Sequence, residues 1–376
     1  MKILIVSAVG TSLLTNHADE QTRRLLAKTA NLNENEIPKE ELDLLRRWVE
    51  EVQELMKDAQ PTLWRERSAE VNGILSYLDE RKDANVHHVL VATDTWQGKT
   101  AAAMVEDFLR KSCNHTVEVL TFERLSTKST YDFNQGMAHF VKWCEDTLPD
   151  YKKKSWHVVF NVTGGFKSVQ SYLTILGMLY ADEIVYTFEP PAGGLITIPR
   201  LPMRLDAEDV CRQNAVALEI LRNCQQMRKA DLGQCDLPDL FLEEVPIDDT
   251  PYVSLSVWGR AVWGEYRKDI LSEKLLEWPR LEYANTFKRD WEDICEKNDR
   301  FSIQEALAKA SAILVESNGD IAKLKTDGGL QYEEYKDRKG IAHFRISKGT
   351  RVSCTKSNGG LRLRHVGAHD YVNRDP

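Results

Sequence analysis

Asn161-Val162-Thr163-Gly164-Gly165-Phe166-Lys167-Ser168 follows a short apolar run and opens a helical pattern. Its paired glycines free backbone N–H groups, the helix N-terminus adds positive potential, and Lys167 adds a full charge. A second loop of this kind, Ser7-Ala8-Val9-Gly10-Thr11-Ser12-Leu13-Leu14-Thr15-Asn16, follows the apolar start Ile3-Leu4-Ile5-Val6. Gly10 lets the backbone approach a ligand, and the hydroxyls of Thr11 and Ser12 can donate to phosphate oxygens. Any strand-to-helix turn favours Gly, Ser and Thr, so one such loop alone decides little. Two of them at the same edge of one sheet point to an anion site.

Outward from these loops, residues 1–200 read as alternating β and α. Strands are predicted at 2–7, 87–93, 117–121, 156–162 and 183–188, each a short Val/Ile/Leu run of the buried parallel kind. Helical patterns lie between them at 65–81, 99–111, 132–147 and 166–180. That order predicts an α/β fold, a doubly wound sheet with helices on both faces and ligands outside the carboxyl ends of its strands. The apolar start reads as the first strand rather than a signal peptide.

A chain of 376 residues predicts two or three domains. Composition is that of a soluble globular protein, 42% hydrophobic and 29% charged, and no run is long enough to span a membrane. Seven cysteines without a close pair or a CxxC argue against disulfides and structural zinc, so a metal site is not expected and reduced cytoplasmic thiols are. Net charge is −8, yet residues 336–376 carry ten basic against three acidic side chains. A basic tail on an acidic body directs attention to nucleic acid at the C-terminal end.

Three segments follow: 1–204, a connector at 205–280 read as helical, and a C-terminal α+β domain at 281–376 with an antiparallel sheet. The connector reads as a helix at 206–228, a loop with Pro238, Pro246 and Pro251, and a second helix after Val257-Trp258-Gly259. Beyond Tyr283–Trp291, a helix is predicted at 302–316 and strands at 341–347, 350–356 and 361–366.

Thr93 to Thr100 ends in Gly98-Lys99-Thr100, which hints at a P-loop, but Thr93 stands where the first glycine is required. Asp94, Thr95 and Trp96 read instead as crevice residues, Trp96 either stacking on a base or packing. With Gly10-Thr11-Ser12…Asn16 and Asn161–Lys167, this segment resembles the CRISPR-associated Rossmann-fold (CARF) sensor domain over about residues 1–200. The resemblance implies a homodimer binding a cyclic oligoadenylate, with no cofactor besides that activator. Cyclic tetra-adenylate is the ring expected, because a two-fold dimer meets a four-fold ring with matched half-sites. It also implies that Gly10, Thr11, Ser12 and Asn16 hold one side of the ring, with Asp94 and Thr95 beside them. Thr163, Gly164, Gly165 and Lys167 would hold its phosphates. Some members cleave their ring with a Ser/Thr of the first loop and the Lys of the second, and Thr11, Ser12 and Lys167 match that pattern.

At the other end, Leu361-Arg362-Leu363-Arg364 alternates arginines with core leucines, and a Lys348-Gly349 hairpin turn brings Arg345 and Arg351 toward the same face. His365, His369 and Tyr371 lie at the rim of this basic sheet, which suits RNA phosphates. RNA cleavage without metal needs a base at the 2′-OH, an acid at the 5′-oxygen and a cation for the phosphorane, roles that histidine and arginine fill. Tyr283–Trp291 together with His365-Val366-Gly367-Ala368-His369-Asp370-Tyr371 resembles the RelE family of mRNA interferases over 281–376. Arg351 is expected to stabilise the transition state, His365 or His369 to move protons, and Arg345, Arg364 and Tyr371 to position the RNA or the leaving group. Histidines stand where the most studied members carry lysine and arginine, so the general base stays open between them.

The resulting expectation is a homodimeric, ring-activated endoribonuclease of type III CRISPR defence that cuts ribosome-bound mRNA. The connector's Leu240, Phe241, Leu242, Trp258 and Trp263 could bind a ribosomal component such as the stalk, or equally pack the dimer. Three alternatives stay open: a ring nuclease with a non-catalytic RNA-binding domain, a transcription regulator, and a HEPN ribonuclease. The last rests on Arg338…His343, an R-x4-H spacing that would belong on or beside a helix.

Overall fold

The computed structural model describes residues 1–81, 83–188, 194–201, 206–224, 226–232, 235–245 and 251–376. The expected boundary at 204/205, Pro246 and residue 225 of the expected helix 206–228 lie outside these. The chain forms two compact units, Met1–Arg204 and Leu205–Pro376. Among the described residues no helix is long and apolar enough to cross a membrane.

The first unit is built on a six-stranded sheet: β1 (Lys2–Ala8), β2 (Asn85–Ala92), β3 (Thr116–Thr121), β4 (His157–Asn161), β5 (Glu183–Thr187) and β6 (Leu195–Pro199). The strand order is β3-β2-β1-β4-β5-β6, parallel throughout except for β6 at the edge. Ile3, Leu4, Ile5 and Val6 are all fully buried, so β1 is covered on both faces, and this is why it reads as an unbroken apolar run. From β1 the chain winds outward to β2 and β3, then returns to lay β4 along β1's other side, with Ser7 opposite Asn161. That reversal of winding opens the crevice at the carboxyl ends of β1 and β4.

Between β1 and β2 lie α1 (Ser12–Thr15), α2 (Glu20–Thr29), α3 (Lys39–Met56), α4 (Pro61–Arg67) and α5 (Ala69–Leu78). The sequence reading assigned no element to α2 or α3, although Leu42, Leu45, Val49, Val52 and Met56 form one apolar stripe. The predicted helix 65–81 is broken at Ser68, whose backbone is extended and whose hydroxyl accepts from the Val71 N–H to cap α5. Helices α6 (Trp96–Lys111), α7 (Thr130–Lys153) and α8 (Lys167–Tyr180) follow β2, β3 and β4.

The second unit opens with α9 (Glu208–Gln213) and α10 (Ala215–Cys224) rather than one helix over 206–228. The break falls at Asn214, whose amide donates to the carbonyls of Val210 and Asp236 and accepts from the Asp236 N–H. The segment expected to be a helical connector also carries an antiparallel sheet of β7 (Met227–Arg228), β8 (Leu242–Val245) and β9 (Tyr252–Leu255). Helix α11 (Val257–Glu273) follows. Its residues and those of α10 share one apolar core with the rest of the unit, including Phe287, Leu307, Val352 and Leu363.

The remaining strands are β10 (Leu281–Tyr283), β11 (Glu333–Glu334), β12 (Ile341–Arg345), β13 (Thr350–Ser357) and β14 (Gly360–Ala368), in the order β10-β14-β13-β12-β11. All pairs are antiparallel except β10 with β14, so the sheet is mixed. Helices α12 (Asn285–Asp293), α13 (Lys297–Glu316) and α14 (Ala322–Thr326) precede the main strands, and α15 (His369–Arg374) ends the chain. Arg338…His343 runs from a turn into β12, so the helical setting of the R-x4-H reading is absent.

Candidate functional site

In the first unit the two glycine loops meet backbone to backbone. A Cβ on Gly10 would lie 2.8 Å from the Gly165 nitrogen, so only glycine lets the loops approach this closely. Gly165 itself has φ +93°, a conformation that side chains with a Cβ rarely adopt. Thr163 is fixed at the crevice: its N–H donates to Asn161 Oδ1 at 3.2 Å and its Oγ1 accepts from the Thr187 N–H at 3.1 Å. Gln170 donates to the carbonyls of Thr163 and Gly164 at 3.1 and 3.2 Å. Lys167 is exposed at the first position of α8.

Around the first loop, Thr11 is the cap residue of α1, and Asn16 donates to the Arg67 carbonyl at 3.3 Å. The Ser12 hydroxyl donates to Glu70 Oε2 at 3.1 Å and accepts from the Ala69 N–H at 3.2 Å. Asp94 and Thr95 sit in the loop after β2, and both are engaged by neighbouring segments. Asp94 pairs with Lys99 at 2.7 Å and accepts from the Arg124 N–H, while Thr95 caps α6 by accepting from the Gly98 N–H. Trp96 packs against the apolar core of the unit.

Glu70 is the site residue that the sequence reading missed. It is fully buried against Gly164, and its Oε1 has no hydrogen-bond partner among the described residues. Burial pushes its carboxyl up to about 7, the Ser12 hydrogen bond pulling more weakly the other way. In sequence it is simply an acidic residue in the first turn of a helix, the commonest solvated position for one, and no signal marks it. An acid with a raised folded pKa holds a proton that the unfolded chain has already lost, so stability falls as pH rises from the ordinary glutamate value toward 7. Between pH 5 and pH 8 the unfolding free energy of wild type should therefore drop by about 2–3 kcal/mol relative to Glu70→Gln. Chemical unfolding at both pH values checks this; parallel pH dependence in the two proteins would mean Glu70 is not buried as a neutral acid.

In the second unit the core face of the last sheet carries Ala342, Phe344, Val352, Cys354, Leu361 and Leu363. By alternation its other face carries His343, Arg345, Arg351 and Ser353. Arg345 lies directly opposite Arg351, and His343, Ser353 and His365 form one row across three strands. A bulge after Ser353 changes the expected alternation in β14: Leu363 and Val366 both stay buried while Arg364 and His365 both come partly outward. The extra residue re-aims His365 onto the basic face.

There His365 Nδ1 lies 2.9 Å from Asp290 Oδ2, which also accepts from the Val366 N–H at 3.1 Å. Tyr371 donates its hydroxyl to Asp290 Oδ1 at 2.7 Å, and that bond, with some burial, pushes the phenol up to about 12. A second group surrounds His343, which is nearly buried with its Nδ1 unpartnered among the described residues and its ring 4.6 Å from that of Tyr335. Burial pushes this imidazole down, helped by the positive fields of Arg351, His369 and Arg345, with Glu333 opposing. Asn373 of α15 accepts from Tyr335 at 2.7 Å and from Arg351 at 3.4 Å, and its amide reaches His369 Nε2 at 3.1 Å. His369 Nδ1 lies 2.8 Å from Asp370. Two groups result: His365 and Tyr371 around Asp290, and Arg345, Arg351 and His369 around His343, while Arg364, the extra residue of the bulge, joins neither. Of the connector's apolar residues, Phe241 and Trp263 are core, whereas Leu240 is half exposed.

These features define a doubly wound α/β unit with a glycine-lined crevice, and an α+β unit with a histidine- and arginine-lined sheet. Residues 65–201 match the model of a family described as a CRISPR-associated protein (Cas_APE2256). This stretch runs from α4 to just past β6 and includes the Asn161–Lys167 loop. The chain is therefore similar to a CRISPR-associated protein family across most of its first unit.

Proposed function

We propose that the protein is a cyclic oligoadenylate-activated, metal-independent endoribonuclease of CRISPR defence, acting on ribosome-bound mRNA as a homodimer. The first unit is the sensor: the Gly10 and Gly165 loops hold the phosphates of the ring, cyclic tetra-adenylate being the one expected, and Lys167 neutralises one of them. The second unit is the effector, and the observation that carries this reading is Arg345 paired across strands with Arg351 beside the row of His343, Ser353 and His365. Two arginines set opposite one another repel, and a phosphate between them turns that cost into transition-state binding. The products are a 2′,3′-cyclic phosphate and a 5′-hydroxyl. A sparse site of this kind gains from a ribosome that holds the message in place.

The test is cleavage of a defined mRNA, with and without programmed ribosomes, across cyclic tri-, tetra- and hexa-adenylate. Cleavage with ribosomes and one ring supports the proposal; cleavage of free RNA alone removes the ribosome from it, and silence throughout overturns it. Lys167→Ala should raise the ring concentration needed for half-activation roughly tenfold to hundredfold, with the rate at saturating ring unchanged. Unchanged half-activation would exclude Lys167 from the ring site. A second activity, slow cleavage of the bound ring, is favoured by the hydrogen bond from Ser12 to the buried Glu70. Ser12→Ala that still degrades the ring at the wild-type rate would overturn it.

A further inference from the structure

We infer that Asp290 is a positioning residue that sets the tautomer of His365 and thereby makes Nε2 of His365 the general base for the RNA 2′-hydroxyl. This rests on the ribonuclease reading above, and it settles which histidine starts the reaction.

Asp290 lies on α12, some seventy-five residues before His365. Its carboxylate is only 12% exposed and collects three contacts at hydrogen-bond distance: the Val366 N–H, the Tyr371 hydroxyl and His365 Nδ1. The Val366 N–H can only donate and the Tyr371 hydroxyl gives its one proton to Oδ1, so both carboxylate oxygens act as acceptors. The Tyr371 oxygen, 3.3 Å from Nδ1, is then left to accept, and both neighbours require Nδ1 to carry the proton. A neutral imidazole protonated on Nδ1 has its lone pair on Nε2. That nitrogen makes no hydrogen bond to any described residue and is not sealed from solvent. An imidazole held by a buried carboxylate, with its far nitrogen free, is oriented to accept a proton and to bear the charge afterwards.

In the step that follows, the 2′-hydroxyl gives its proton to His365 Nε2 and the 2′-oxygen bonds to phosphorus. The bond from phosphorus to the 5′-oxygen breaks, and that oxygen takes a proton from a neighbouring acid or from water. Tyr371 is not that acid, because its only hydroxyl proton is held by Asp290 and its pKa is raised. Its place in the site is to complete the shell that fixes the carboxylate. His369 differs from His365 in having both ring nitrogens engaged, by Asp370 and Asn373.

The experiment compares wild type, Asp290→Asn, Tyr371→Phe and His365→Ala as full chains. Cleavage is measured with ring and programmed ribosomes, and the ring-nitrogen shifts of His365 are read in 15N-histidine-labelled protein without RNA. Wild type should show protonated Nδ1 and unprotonated Nε2. Asp290→Asn should mix the tautomers and lower kcat by about a hundredfold or more with KM within a few-fold, as expected when an orienting carboxylate is lost. Tyr371→Phe should keep the wild-type tautomer and lose less than tenfold in kcat. A wild-type spectrum with the proton on Nε2, or an Asp290→Asn enzyme with unchanged kcat, overturns the inference. So does a Tyr371→Phe loss as deep as that of His365→Ala, which would make the phenol the proton carrier. If Asp290→Asn loses the wild-type melting transition, the wild-type spectrum and Tyr371→Phe carry the test. If wild type cuts no RNA under any condition, the ribonuclease reading fails, while the spectrum still decides whether Asp290 sets His365.

Discussion

Replacing Arg351 by Ala should lower mRNA cleavage by roughly 10²–10³-fold without destabilising the protein. The two halves of that expectation have one cause. Arg351 and Arg345 stand opposite each other on adjacent antiparallel strands, with Asn373 at 3.4 Å from the Arg351 guanidinium and the Tyr335 hydroxyl beside it. Like charges at that spacing cost a sheet a few tenths of a kcal/mol to about 1 kcal/mol. Alanine relieves this repulsion, so the melting temperature should hold or rise slightly. The same substitution removes a fixed cation from the place where phosphorane charge would develop. Paired melting curves and single-turnover cleavage separate the effects. A variant that loses activity only in proportion to lost folded protein would reduce Arg351 to a structural residue. Full activity would remove the basic face from the mechanism altogether.

The second large effect is on stability. Arg267→Ala should destabilise the second unit by about 3–5 kcal/mol. Glu219 on α10 is fully buried, and Arg267 on α11 meets it through Nε and Nη2, both at 2.6 Å, while Trp263 donates to it at 2.8 Å. Burial alone would raise the Glu219 carboxyl, yet the guanidinium wins and holds it below the ordinary value. Arg267 also bonds Glu305 on α13 at 2.6 Å, so one side chain ties three helices together. Removing it strands a buried carboxylate. Glu219→Gln combined with Arg267→Met should recover most of the loss, because an uncharged pair needs no counter-ion and Gln still accepts from Trp263. Denaturant titration of the three proteins tests this. If the double variant is as unstable as the single one, packing rather than charge accounts for the loss.

That network also explains how the segment 205–280 behaves. Read as sequence, its helical patterns and proline-bearing loop suggest a helical connector between domains. In the fold, Glu219, Trp263 and Arg267 face inward and the segment shares the core of the C-terminal unit. Pairing between residues 48 positions apart, such as Glu219 and Arg267, leaves no trace in local periodicity.

Much of the rest is local and therefore legible. Buried parallel strands are unbroken apolar runs because both faces are covered, so β1, β2, β4 and β5 can be read directly, as can the glycine loops that end β1 and β4, while the edge strand β3 shows through its β-branched residues. The three hairpin strands near the C-terminus alternate because one face packs on helices and the other does not. Helices α2 and α3 carry a readable stripe that the reading passed over. The breaks at Ser68 and Asn214 depend on side-chain hydrogen bonds that compete with helix continuation, and the short edge strand β6 rests on its pairing with β5.

By itself the sequence determined five of the six strands of the first unit's sheet, the two glycine loops, and the basic, histidine-bearing character of the C-terminal strands. Each of these is a short-range property, carried by alternation, by glycine's freedom or by charge density. Only the tertiary structure decided that Glu70 is a buried acid beneath the loops, that a bulge re-aims His365, and that Asp290 lies behind it. Those features arise where residues far apart in the chain share one dry space, and there burial and partner geometry, rather than residue type, decide what a side chain does.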